Sequence, residues 1–331
     1  GMVTKEWAAI HRKHHAKCET REDPHSPQIY GIRKVLLEGT ELYRTESLNA
    51  ETMERYGHGT PDDWIERSLY TKHSALGVTG LLIGQLILFG PIGATMWAVQ
   101  MLWIPFLAAA VINGVGHYWG YRNFQSADKS TNIIPWGILI GGEELHNNHH
   151  AYATSAKLSN KWYELDVGWV YIRILSALGL AQVKKIAPKA KRLTAAKSCC
   201  DDELLQAVIT HRYDVLARYA AALKGTWRSE LRALRARTTY GGKEWRRLKG
   251  WLHRDTRDLP ESERVRLSAT VSSSRVLATV HSMREELTQI WTRSTASRDQ
   301  LVRQLDDWCK RAEASGIKAL EQFSHRLRCY A

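Results

Sequence analysis

Residues 74–121 contain no Asp, Glu, Lys or Arg, an uncharged run of 48 residues in a chain of 331. A bilayer core is crossed by about 20 apolar residues, so the run is long enough for two crossings and too long for one. Gly90-Pro91 divides it where a turn is expected. Transmembrane segments are therefore predicted at about 75–89 and 92–117. The first is short and would tilt or sit in thinned lipid. The second has a surplus end, continuing to Tyr121, that would protrude into water carrying Asn113 and His117. Pro105 is expected to kink it. A mean hydropathy of −0.37 hides this segregation, because charge is concentrated after about Lys184.

Histidine clusters flank the run. His11-Arg12-Lys13-His14-His15 precedes it, and His146-Asn147-Asn148-His149-His150 follows it. Both place imidazoles at i, i+3 and i+4, the spacing that puts three side chains on one face of a helix. Asn113 and His117 lie between them at i and i+4. Seven of the 14 histidines fall in these clusters; His25, His58, His73, His211, His253, His281 and His325 are scattered and read as ordinary. An even number of crossings returns both clusters to one membrane face. Lys5, Arg12, Lys13, Lys72, Arg122, Lys129, Lys157 and Lys161 flank the run on that side, whereas the Gly90-Pro91 turn carries no charge, so the clusters are predicted to face the cytoplasm.

Neutral imidazoles in such numbers suit iron, zinc or copper. A zinc hydrolase would place Glu within His-Glu-x-x-His, and neither cluster does. Seven histidines with Asn113 supply fewer donors than the roughly ten to twelve positions of two irons, so water or further residues would complete the set. The five cysteines, Cys18, Cys199, Cys200, Cys309 and Cys329, are odd in number and lack Cys-x-x-Cys, which argues against a disulfide framework or a structural zinc site and fits a reducing compartment. Residues 1–18 lack the apolar segment of a cleavable signal peptide. The formal net charge of +13 suits anionic lipid, a phosphate-bearing substrate or nucleic acid without choosing among them.

The other elements follow from local signals. Residues 31–49 read as an amphipathic helix, and Thr60-Pro61-Asp62-Asp63 as a helix start with Pro in first position. Residues 133–142 are apolar but too few to cross a membrane, and 161–183 read as an amphipathic helix lying at the interface. The composition divides the chain into residues 1–187, holding the clusters, and 188–331, a basic, all-helical, soluble region. In the latter, helices are predicted from Asp201-Asp202 through Leu223 with a stop at Gly225, from Leu259-Pro260-Glu261 towards Thr292, over 297–314, and after Gly316 through Ile317, Leu320, Phe323 and Leu327.

Residues 2–187 resemble membrane-bound acyl-lipid and acyl-CoA fatty acid desaturases. The resemblance rests on the two histidine clusters, the Asn113/His117 pair, Asp23-Pro24-His25, the segment 161–169 and Ile172-Arg173. It implies an all-α integral membrane fold, with two transmembrane helices under a cytoplasmic helical cap, sited in a bacterial inner membrane. It also implies a centre of two iron ions that uses O₂ to place a cis double bond in a saturated acyl chain carried on CoA or phospholipid. His11, His14, His15, His117, His146, His149 and His150 would bind iron directly, and Asn113 through water. Electrons from NAD(P)H would arrive through a separate ferredoxin, b-type cytochrome or reductase, since no His-Pro-Gly-Gly haem motif is present. The family's earlier His-x-x-x-x-His box and its membrane helices are not found, so an N-terminally shortened form is expected. Glu143-Glu144-Leu145 stands where many relatives carry Glu-Gly-Trp and is expected to tune only the surroundings of the third box. Alternative readings are a related di-iron alkyl hydroxylase and a non-catalytic membrane fragment. The basic region resembles the helical end of some insertion-sequence transposases; nucleic-acid binding is not expected.

Overall fold

A computed structural model describes residues 3–237, 245, 259–292 and 295–331; His253 lies outside them. The chain divides into two compact units, Gly1–Ala187 and Pro188–Ala331.

In the first unit, α1 (Thr4–Lys17) carries the leading histidine cluster. A single turn, α2 (Pro27–Tyr30), leads into α3 (Ile32–Ser47) and α4 (Ala50–Tyr56). Polar contacts fix α1 in place: Lys13 Nζ reaches Glu46 at 2.8 Å and Thr52 Oγ1 at 3.1 Å, and Thr4 donates its backbone N–H to Glu66 at 2.8 Å. The helix start expected at Pro61 falls later. Asp63 caps it by accepting the Glu66 N–H at 2.9 Å, and Glu66–Thr71 winds as a π-helix.

The uncharged run forms a helical hairpin, α5 (Leu76–Phe89) and α6 (Pro91–Pro105), and α6 continues as a π-helix over Phe106–Val115. Gly90 turns the chain at φ +60°, a backbone that favours glycine, and Pro91 opens α6 at a position that needs no N–H. The two helices approach closely at Gly93, where a Cβ would meet the Gln85 carbonyl. Polar groups between them pair, Gln85 donating to Gln100 at 2.8 Å and Trp97 Nε1 to the Val78 carbonyl at 3.0 Å. Pro105 marks the change from α to π winding. Among the described residues one helix, Pro91–Val115, is long and apolar enough to cross a bilayer. At a rise of about 1.5 Å per residue the 14 residues of α5 span roughly 21 Å, short of the core of about 30 Å. α5 thus occupies the short segment expected at about 75–89, and α6 with its π-helical continuation the longer one expected at about 92–117.

The π-helical segment packs on α3, and Gly39 sets their spacing, because a Cβ there would lie 2.9 Å from the Ala109 carbonyl oxygen. Gly39→Ala is expected to destabilise the unit by about 1–3 kcal/mol through overpacking, whereas Gly77→Ala, which meets nothing within 4 Å, is expected to be neutral or stabilising. Thermal melts in detergent measure the difference.

Besides isolated bridges of Tyr121 with Asn132 and of Arg192 with Tyr330, the described residues hold one strand pairing, parallel, of Trp136–Gly137 with Leu165–Asp166. It brackets the third-box helix, α7 (His146–Ala151). The interfacial helix is shorter than expected: α8 spans Val167–Ala177, because Asp166 caps it by accepting the Trp169 N–H at 2.8 Å. Residues 161–166 are used instead in a turn and the strand pair.

The described residues of the second unit include α9 (Asp202–Thr210), α10 (Arg212–Arg237), α11 (Glu261–Ser272), α12 (Arg275–Thr292), α13 (Arg298–Ala314) and α14 (Lys318–Leu327). The helix expected over 201–223 breaks at His211, and Gly225 lies inside α10. An internal glycine costs a helix about 0.5–1 kcal/mol, and here the burial of Leu223, Trp227, Leu231 and Leu234 on one face outweighs it. The helix expected over 259–292 is likewise two, parted at Ser273-Ser274. Trp308 lies at the centre of the core, 1% exposed, and donates its indole N–H to the Met283 carbonyl at 2.7 Å. Ser297 and Gln300 form a capping box at the start of α13.

Candidate metal centre

Helical spacing brings His11, His14 and His15 to one side of α1, and α7 does the same for His146, His149 and His150. His117 follows the π-helical segment. The fold gathers all seven. His11 Nε2 lies 3.1 Å from His149 Nε2, and His15 Nε2 lies 2.9 Å from His149 Nε2 and 3.2 Å from His11 Nε2. In a second group, His117 Nε2 lies 3.0 Å from His14 Nε2, 3.0 Å from His146 Nε2 and 3.2 Å from His150 Nε2. His15 and His150 stack at 4.3 Å between ring centres and join the two groups.

The Nδ1 side of the four rings in the second group explains their arrangement, whereas His149 Nδ1 is buried without a hydrogen-bond partner. His14 Nδ1 faces Asp23 at 3.0 Å, His150 Nδ1 faces Asp128 at 3.0 Å, and His146 Nδ1 faces Glu143 at 3.4 Å. Glu19 lies 3.7 Å from His117 Nδ1. A carboxylate accepts a hydrogen bond from the Nδ1–H of a neutral imidazole and so leaves the Nε2 lone pair pointing inward. Burial holds His11 and His117 down to about 3 and His146 down to about 4, so all three are neutral at physiological pH. It pushes His15, His149 and His150 in the same direction. Converging lone pairs repel one another unless a cation lies among them. Two nitrogens at right angles on an ion with bonds of about 2.1 Å are about 3.0 Å apart, and the separations of 2.9–3.2 Å match that spacing. The donor set therefore fits metal ions of the imidazole-preferring kind.

Further carboxylates stiffen the frame. Glu144, 2% exposed, accepts backbone N–H groups from Leu139, Ile140 and Gly142, which fixes the approach to α7. Glu164 takes the Asn148 amide at 2.8 Å and the Tyr121 hydroxyl at 2.9 Å. Asn147 accepts the N–H groups of Asn123 and Phe124, both at 2.9 Å, and so holds the loop that carries Asp128. Glu19, at φ +61°, turns the chain out of α1 and donates its N–H to Asp23 at 2.7 Å.

Asn113 donates its amide to the Ala109 carbonyl at 3.1 Å, one turn back in its own helix. His25, read as ordinary, stacks on His14 at 4.4 Å and keeps a buried Nε2 without a hydrogen-bond partner. Sequence reasoning also passed over Asp128 and Glu19. Asp23 was singled out only within the Asp23-Pro24-His25 resemblance, and its contact with His14 was not foreseen. Asp128→Asn is expected to weaken zinc or cobalt binding about 10–100-fold, because it removes the acceptor that orients His150; calorimetric titration measures this.

These features define a helical protein with a buried, multi-imidazole centre beside an apolar hairpin. Comparison with known families makes this specific. A family model described as fatty acid desaturase matches residues 1–177, more than half of the chain, and the protein belongs to that family. It is 30% identical over 191 residues to the sn-1 stearoyl-lipid 9-desaturase of Anabaena variabilis, covering 56% of this chain and 66% of that protein. It is also 30% identical to acyl-CoA 5-desaturase AL21 of Anemone leveillei, over 60% of this chain and 61% of that one. Delta-9 acyl-lipid desaturase 1 of Arabidopsis thaliana is 30% identical over 56% and 60% of the two chains. The chain spans between about half and two thirds of the length of these curated relatives. A model described as transposase matches residues 194–331. No solved structure matches the chain.

Proposed function

We propose that residues 1–187 form the metal-binding domain of a membrane fatty acid desaturase and that 188–331 form a separate helical domain. The observation that carries this reading is the convergence of seven Nε2 atoms from segments more than a hundred residues apart in sequence, His14 and His117 lying 3.0 Å apart. His11, His15 and His149 would hold one ion; His14, His117, His146 and His150 would hold the other, with Asn113 contributing through water. Bound iron would supply, with O₂ and two electrons, the oxidising power for removing two hydrogens from an unactivated acyl chain, which no amino-acid side chain provides. The residues of this chain perform the other tasks. Asp23, Asp128 and Glu143 accept hydrogen bonds from the Nδ1–H groups, which keeps the protons on Nδ1 and the rings aimed. The near-complete burial of His14, His117 and His146 excludes water from that side of the centre.

In this reading α5 and α6 sit in the bilayer, and the histidines face the cytoplasm beneath basic residues that attract a phosphate-bearing CoA or lipid headgroup. The product is a cis-unsaturated acyl chain, and electrons arrive from NAD(P)H through a separate ferredoxin, b-type cytochrome or reductase. The test is to express the chain with any in-frame coding sequence upstream of Gly1 in a host lacking its own desaturase. New monounsaturated fatty acids are expected in the extracted lipids; their absence from iron-loaded, membrane-integrated protein would contradict the proposal.

A second reading rests on the change of family between residues 177 and 194. A chain passing from a desaturase segment into a transposase-like one is what insertion of a mobile element into a gene would produce. Such a chain would bind metal without forming product, and the same experiment separates the two.

A further inference from the structure

Cys18 follows His14 at i+4, the spacing that also sets His15 over His11, so the end of α1 turns its thiol towards the second imidazole group. Its Sγ lies 4.0 Å from His14 Nε2 and 3.9 Å from His117 Nδ1. The donor atoms of His14, Cys18, His117 and His150 all lie within 4.8 Å of one another. An independent observation marks this spot as a cation site: the Nδ1 atoms of His14 and His150 are taken by Asp23 and Asp128, which leaves unshared Nε2 electron pairs pointing inward. The Cys18 thiol adds a sulfur electron pair to the nitrogen donors gathered there, among them His146 Nε2, 3.0 Å from His117 Nε2.

We propose that Cys18 is a sulfur ligand of the ion assigned above to His14, His117, His146 and His150. The inference rests on the metal-binding reading above and goes beyond it, by adding a soft donor to an otherwise imidazole set. On coordination the S–H bond breaks, a metal–sulfur bond forms and the proton leaves to solvent; no electrons are transferred. Soft thiolate favours zinc more than imidazole alone does, so the two ion positions differ in metal preference.

The test is X-ray absorption of the full chain loaded with zinc alone in detergent. A sulfur scatterer is expected in the first shell, and it is expected to vanish in Cys18→Ser while histidine nitrogen scattering persists. Bound zinc with only nitrogen or oxygen neighbours in the unsubstituted protein overturns the inference and leaves the metal site standing. Sulfur that survives in Cys18→Ser arises from the cysteines of the second unit and likewise overturns it. If no zinc binds at all, the metal-binding reading fails too. The reading on unsubstituted protein does not depend on whether the variant folds.

Discussion

His149→Ala is expected to abolish one metal position and, in a version of the protein that forms unsaturated product, to abolish that product. His149 Nε2 stands 3.1 Å from His11 Nε2 and 2.9 Å from His15 Nε2, so it closes a three-nitrogen group that α1 alone leaves with two. Two imidazoles on one helix bind a divalent ion far more weakly than three converging ones, and the bound metal should fall from about two ions per chain to about one. His58→Ala is the control, because His58 is exposed and faces the Arg55 carbonyl at 3.3 Å. Plasma mass spectrometry of the purified variants gives the metal content, and fatty acid methyl ester analysis gives the product. Full metal content or retained product in His149→Ala would refute its role.

The largest stability effect is expected in the second unit. Trp308→Ala removes a side chain that is 1% exposed and contacts Phe323 edge-on at 6.0 Å, and it leaves the Met283 carbonyl without its indole donor. A cavity of that size costs about 3–5 kcal/mol. Circular dichroism of the full chain in increasing urea should show the helical transition of residues 188–331 moved to lower denaturant, with metal content unchanged. A loss of metal in this variant would contradict the separation of the two domains.

The centre was largely legible in the sequence because helical periodicity turns i, i+3, i+4 spacing into shared direction. That logic works for His11, His14 and His15, and for His146, His149 and His150. It fails where position depends on an irregular chain. His25 reaches His14 through the turn at Glu19, and Asp128 reaches His150 because Asn147 holds the intervening loop, and neither contact has a periodic signature. The helix boundaries show the same division. Gly225 looks like a stop but is carried by the buried face of α10, a tertiary effect that no local signal contains. Asp166 does announce the start of α8 by its capping role, although the apolar pattern that begins before it suggested a longer helix. The helical hairpin was visible from its lack of charge and from Gly90-Pro91. The length of α5 was visible too, since the segment expected at about 75–89 forms Leu76–Phe89.

The most direct test of a paired metal centre is the iron-to-protein ratio of the full chain, purified in detergent from iron-supplied cells. About two irons per chain are expected, one for each group of converging imidazoles. None, or one that persists when His149 is replaced, would contradict it.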